Sequence, residues 1–106
     1  MTSRRPRIRG EPTLWSIEHF PDDEDAYQWT HHYEEMRLLR RDPRVTKEII
    51  DHLLVNGIVT GDPDHIDRVK IQDIIDGVRW EIAVAVDDLD PPALLSVYSS
   101  EHEHRR

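Results

Sequence analysis

The 106-residue chain has no cysteine, two lysines, four glycines and a single phenylalanine. Without cysteine, disulfides and thiolate metal sites are excluded, and any nucleophile must be oxygen or nitrogen. Long apolar runs are missing too. The longest, Ile82-Ala83-Val84-Ala85-Val86, falls far short of the ~20 residues that span a bilayer. No apolar stretch follows Arg4, Arg5, Arg7 and Arg9 in the manner of a secretion signal, so a soluble, cytoplasmic protein without membrane association is expected. The phosphate-cradling glycine loop, the dinucleotide fingerprint and the serine elbow are all absent, which argues against nucleotide-dependent and serine-hydrolase chemistry.

What is present is charge, and it is unevenly distributed. The formal charge is −8, carried by 22 Asp and Glu against 14 Lys and Arg. An acidic surface with twelve arginines and two lysines, Lys47 and Lys70, suits a protein working in high intracellular salt. Residues 1–10 carry +4, residues 11–36 carry −8, residues 37–44 carry +3, and the remainder carries −7. A net-acidic chain of this kind still presents local basic surface, although its overall field repels nucleic acid at low salt.

The opening "MTSRRPRIRGEPT" offers almost nothing apolar to offset the entropy of ordering. Residues 1–12 are therefore expected to be a disordered basic tail, residues 13–100 a single domain, and residues 101–106 a frayed end. Asp22-Asp23-Glu24-Asp25 supplies an N-cap and an acidic first turn, which predicts a first helix from about Asp23 to Arg41. Ala26, Trp29, Tyr33, Met36 and Leu39 recur at the spacing of a buried stripe, with His32 and Arg40 on its flank. Asp42-Pro43 stops that helix and Thr46 caps a second, with Val45 and Ile50 as a hydrophobic staple, Ile49, Ile50, Leu53 and Leu54 as its buried face and Gly57 at its end.

Beyond Ile58 the period changes to two. Asp76-Gly77 between apolar runs is a hairpin signal that pairs Ile75 with Val78, Ile71 with Ile82 and Val69 with Val84. These residues share a face with Trp80 and Val86, which is expected to pack on the helices. The opposite face then carries Arg68, Lys70, Gln72, Arg79 and Glu81 beside Ala83 and Ala85, joined by Tyr98 when Leu95 and Val97 point inward on a strand Ala93–Ser99. With a short extra strand at Ile58–Thr60, the expected fold is α+β: two N-terminal helices packed on one face of a three- to four-stranded antiparallel sheet.

His32, Arg40, Val45-Thr46, Leu53-Leu54, Gly57, Gly77 with "VRWEIAVAV" and Ser96-Val97-Tyr98 occur in an order that resembles the RelE/ParE-like toxin superfamily, especially its BrnT-like and related small bacterial and archaeal families. The resemblance covers about residues 30–99; where the family has its first helical arginine this chain has Met36, with Arg37 adjacent. It implies an α-α-β-β-β fold and metal-independent cleavage of RNA, under the control of an antitoxin protein that masks the basic face. In that chemistry a base activates the ribose 2′-hydroxyl, cations stabilise the phosphorane and an acid protonates the leaving 5′-oxygen. Carried over residue by residue, the resemblance makes His32 or Tyr98 the proton-transfer group and Arg40, Arg68, Lys70 and Arg79 the phosphate ligands. The arginine fork suits phosphate oxygens in pairs.

Two other readings stand beside it: a non-catalytic protein-interaction module of the same fold, and a small domain that binds nucleic acid through its arginine-rich tail. No cofactor is expected. Adjacent histidines on a helix, as at His31-His32, point about 100° apart, the metalloprotease H-E-x-x-H spacing is absent, and the aspartate-rich turns lack the glycine and glutamate of a calcium loop.

Overall fold

The computed structural model describes residue 8 and residues 10–39, 43–86 and 91–99. Expectations for Arg40 and Arg41, for the loop 87–90 and for residues 101–106 lie outside the described residues. The described elements are two 3-10 turns (Ile17–His19 and Glu24–Ala26), then β1 (Gln28–Trp29), α1 (His31–Leu39), α2 (Lys47–Asn56), β2 (Ile58–Asp62), β3 (His65–Ile75), β4 (Val78–Ala85) and β5 (Ala93–Ser99). The strands form one sheet in the order β1-β5-β4-β3-β2, antiparallel throughout except that β1 runs parallel to β5.

The first helix begins eight residues later than the capping signal predicts. Asp23 does cap, but only a single 3-10 turn, accepting from the Asp25 amide at 2.8 Å. The chain then extends: the Gln28 amide donates to the Pro92 carbonyl and the Thr30 amide to the Leu94 carbonyl, at 3.0 and 3.2 Å. Pairing with β5 prevails there over local helix preference, and it turns the expected antiparallel sheet of three or four strands into a mixed sheet of five. Thr30 is the true cap of α1. Its carbonyl accepts from Glu34 at 2.9 Å and its hydroxyl from the Tyr33 amide at 3.2 Å, while that hydroxyl donates to Leu94. At nine residues α1 is too short to persist alone. Tyr33 anchors it, fully buried, whereas Leu39 at the end of the expected stripe is 72% exposed and Ala26 is exposed as well.

The second helix follows its sequence signals closely. The Thr46 hydroxyl accepts from the Ile49 amide, Val45 and Ile50 are both buried, and Leu53 and Leu54 complete the face that enters the core. Gly57 ends it through a bond from its amide to Leu53 at 2.8 Å, and a Cβ at this position would overlap the Ile71 side chain, so helix and sheet meet through a missing side chain. The β3–β4 hairpin keeps the expected register, Ile75 opposite Val78, Ile71 opposite Ile82 and Val69 opposite Val84. Asp76 and Gly77 turn it with φ of 53° and 81°, as a two-residue turn with both central residues in the left-handed region requires.

One register differs. The pairing of β4 with β5 shifts between Ala83 and Val84, so Ser96 faces Ala83 and Leu94 faces Val84, with Leu95 as the extra residue. Leu94 and Val97, rather than Leu95 and Val97, therefore enter the core. The apolar core lies on one face of the sheet, where Tyr33, Ile50, Leu53 and Leu54 meet Val69, Ile71, Trp80, Ile82, Val84, Leu94 and Val97.

Ordered structure also begins before residue 13. Glu11 and Gly61 exchange two backbone hydrogen bonds at the free edge of β2.

Candidate functional site

Because side chains alternate along a strand, the residues between the core positions point away from both helices. The registers set them in rows across this outer face: Ile58, Gln72, Glu81 and Tyr98 in one, Thr60, Lys70, Ala83 and Ser96 in the next, with Arg68 opposite Ala85 and Arg79 opposite Ile74. Four of the six residues expected to bind or cleave RNA, namely Arg68, Lys70, Arg79 and Tyr98, thus share one face. They surround small side chains at Ala83, Ala85 and Ser96.

Glu81 joins them. The Tyr98 phenol donates to Oε2 of Glu81, and Gln72 Nε2 donates to the Thr60 hydroxyl at 3.2 Å. Burial here differs from the solvated face that alternation predicts: Gln72, Arg79 and Glu81 are 0%, 5% and 6% exposed, against 44% for Tyr98. Arg68 is exposed and Lys70 half-buried.

His32 is elsewhere. It sits exposed on α1, which packs on the core face, and with Glu35, Met36 and Leu39 it lines an open groove of about 270 Å³. Tyr98, opposite Glu81, points from the other face of the sheet. Arg40 lies outside the described residues. His31, its neighbour, makes an exposed contact with Glu35 at 3.0 Å. Among the described residues no three His, Asp or Glu side chains cluster as metal ligands.

A second polar cluster is only partly legible in the sequence. Glu24, from the acidic run, is 1% exposed, and its carboxylate receives the Tyr33 hydroxyl at 2.7 Å and Arg37 through two nitrogens, Nε at 2.7 Å and Nη2 at 3.2 Å. Arg37 also lies 6.0 Å from the centre of the Trp29 ring, whose indole N–H donates to the Glu24 carbonyl. Burial, reinforced by the bond to Glu24, raises the Tyr33 phenol well above its ordinary range, and the bond to Glu24 raises Arg37 in turn. Arg37 is thereby committed within the fold. Around this centre the Glu24 amide donates to Asp51 at 2.9 Å, and Lys47 bridges Asp51 and Asp23 at 2.7 and 3.0 Å. Those two bonds, to Asp51 first, raise the Lys47 ammonium, while the Asp25 amide, with Lys47, lowers Asp23. The available signal was the spacing of Tyr33 and Arg37, four apart and hence on one helix side; nothing local marks Glu24 as their partner.

The chain matches no family model, no curated protein and no solved structure.

Proposed function

We propose that this chain is a RelE/BrnT-like toxin-family domain that cleaves RNA on the outer face of its sheet. The observation that carries the reading is the Tyr98–Glu81 hydrogen bond, a carboxylate and a phenol in contact, on the face that also bears Arg68, Lys70 and Arg79. In this reading Glu81 takes the proton of the ribose 2′-hydroxyl, whose oxygen attacks the adjacent phosphorus. Tyr98 gives its proton to the departing 5′-oxygen, leaving a 2′,3′-cyclic phosphate. Arg68 and Lys70 bind the phosphate oxygens and hold the charge of the phosphorane. His32 has no part in this chemistry, and a partner protein of the antitoxin kind would act by covering the same face.

The second reading, a non-catalytic interaction module of the same fold, is favoured by the place of His32 on a helix that packs on the core face and by the burial of Arg79 and Glu81. A cleavage assay separates the two. Purified protein incubated with single-stranded RNA in high salt should yield products ending in cyclic phosphate, and Tyr98→Phe should slow cleavage by roughly 100-fold. RNA left intact by the wild type, with and without its N-terminal residues, would overturn the catalytic reading.

A further inference from the structure

The register of β2 with β3 breaks close to the turn that joins them. Gly61 lies opposite Val69 but Asp62 lies opposite His65, so Ile66, Asp67 and Arg68 have no partner on β2. The chain ahead of the first 3-10 turn runs past this gap. Glu11 and Gly61 exchange backbone hydrogen bonds of 3.3 and 2.6 Å. Trp15 follows, half-buried, its ring 5.6 Å from that of His19 and 5.7 Å from that of Phe20. Hairpin and incoming chain together enclose a pocket of about 160 Å³, lined among others by Glu11, Trp15, Asp62, His65, Ile66 and Arg68. Sites that enclose whole small molecules run to about 300–1,000 Å³, so this one suits a single ring system. Its polar groups are uncommitted. Among the described residues Arg68 makes no ion pair or hydrogen bond, and neither the indole N–H of Trp15 nor the ring of His65 has a hydrogen-bond partner. Arg37 and Lys47, by contrast, are both spent on carboxylates. Ile66 is 100% exposed, an apolar side chain left to water beside them.

We infer that this pocket seats one base of a single-stranded RNA whose adjoining phosphate is held by Arg68. The flat faces of the base cover Trp15 and Ile66, as unpaired bases stack on aromatic side chains. Its N–H groups donate to the carboxylates of Glu11 and Asp62, and the Arg68 fork takes two phosphate oxygens. The place of the pocket agrees with this. Outer-face positions along β3 run Arg68, Lys70, Gln72, and the registers set Glu81 and Tyr98 beside Gln72. The pocket thus lies at one end of a cationic track that reaches the Tyr98–Glu81 pair four residues on, about 13 Å along the strand. The inference rests on reading that face as an RNA surface but needs no cleavage there.

Nuclear magnetic resonance on the full chain tests it with probes that have no bond to cleave. The indole N–H signal of Trp15, assigned by its loss in Trp15→Phe, is followed as adenosine, cytidine, guanosine and uridine 5′-monophosphates and ribose 5-phosphate are added in turn. At least one nucleotide should shift it saturably and ribose 5-phosphate should not, while the indole signals of Trp29 and Trp80 stay in place and report an intact fold. Arg68→Ala should weaken that nucleotide roughly tenfold. A Trp15 signal that no nucleotide moves would overturn the inference, as would an affinity unchanged in Arg68→Ala. Equal shifts from ribose 5-phosphate would also overturn it, leaving a phosphate site without a base pocket. Cleavage is read separately from Tyr98→Phe, so RNA left intact by a protein whose Trp15 answers to nucleotides would remove the catalytic reading and keep the pocket.

Discussion

Two polar clusters are buried in this small domain, and they are built in opposite ways. The Glu24 cluster is assembled from a 3-10 turn and α1, with Asp51 of α2 on its amide, and every partner lies within described structure. The outer-face cluster lies on one side of a regular sheet, its members set by strand register alone. The first ties separate pieces of backbone together, so removing a member leaves a charge stranded in the interior. The second rests on backbone that the ladder and the core already hold, so its side chains are free to be chosen for chemistry. A buried ion pair is therefore weak evidence of a site in one region, and a hydrogen-bonded carboxylate is better evidence in the other.

That contrast can be broken by mutation. Arg37→Ala removes the partner of a fully buried carboxylate and should cost about 3–5 kcal/mol in chemical denaturation, a large part of the stability of a domain this size. Tyr33→Phe deletes one hydroxyl from the same carboxylate and should cost about 1–2 kcal/mol. It should also change the response to alkali. The folded-state phenol of Tyr33 is raised, so its contribution is fully present below the unfolded value of about 10 and is lost as pH rises above it towards the folded value. The wild type should lose stability above about pH 10 more steeply than Tyr33→Phe does, and equal slopes would remove Tyr33 from the account. Smallest of all, Glu81→Gln should change stability by less than about 1 kcal/mol because Tyr98 can still donate to the amide oxygen. A loss at Glu81 as large as that at Arg37 would show the outer-face cluster to be a structural tie like the first.

The legible parts of the fold are those whose cause lies within a few residues. Thr46 with Val45 and Ile50 announces α2, and Asp76-Gly77 fixes a turn and through it the register of eight cross-strand pairs. The illegible parts depend on partners far along the chain. Nothing near Gln28 indicates that its amide will meet Pro92, so the acidic run reads as a helix start when it forms a turn and a short strand. The extra residue at Leu95 is equally hidden, because a bulge shows only when two strands are laid side by side. For the candidate site, alternation was enough to gather Arg68, Lys70, Arg79, Glu81 and Tyr98 on one face. It could not show that Gln72, Arg79 and Glu81 are buried there, nor that the helix bearing His32 packs on the opposite, core face.

The parallel pairing of β1 with β5 has a kinetic consequence. The Thr30 hydroxyl reaches the Leu94 carbonyl across 64 residues of sequence, and the Thr30 amide reaches the same oxygen. During synthesis α2 and the β2–β4 meander can form as they emerge, since their contacts are local. The segment that caps α1 must wait for the last strand. Docking of β1 is thus tied to the synthesis of β5, and until then the edge of β4 that β5 covers is open to pairing with other chains. Mutations that weaken the Thr30 contacts should show themselves first as aggregation during expression, before any loss of stability in the finished protein.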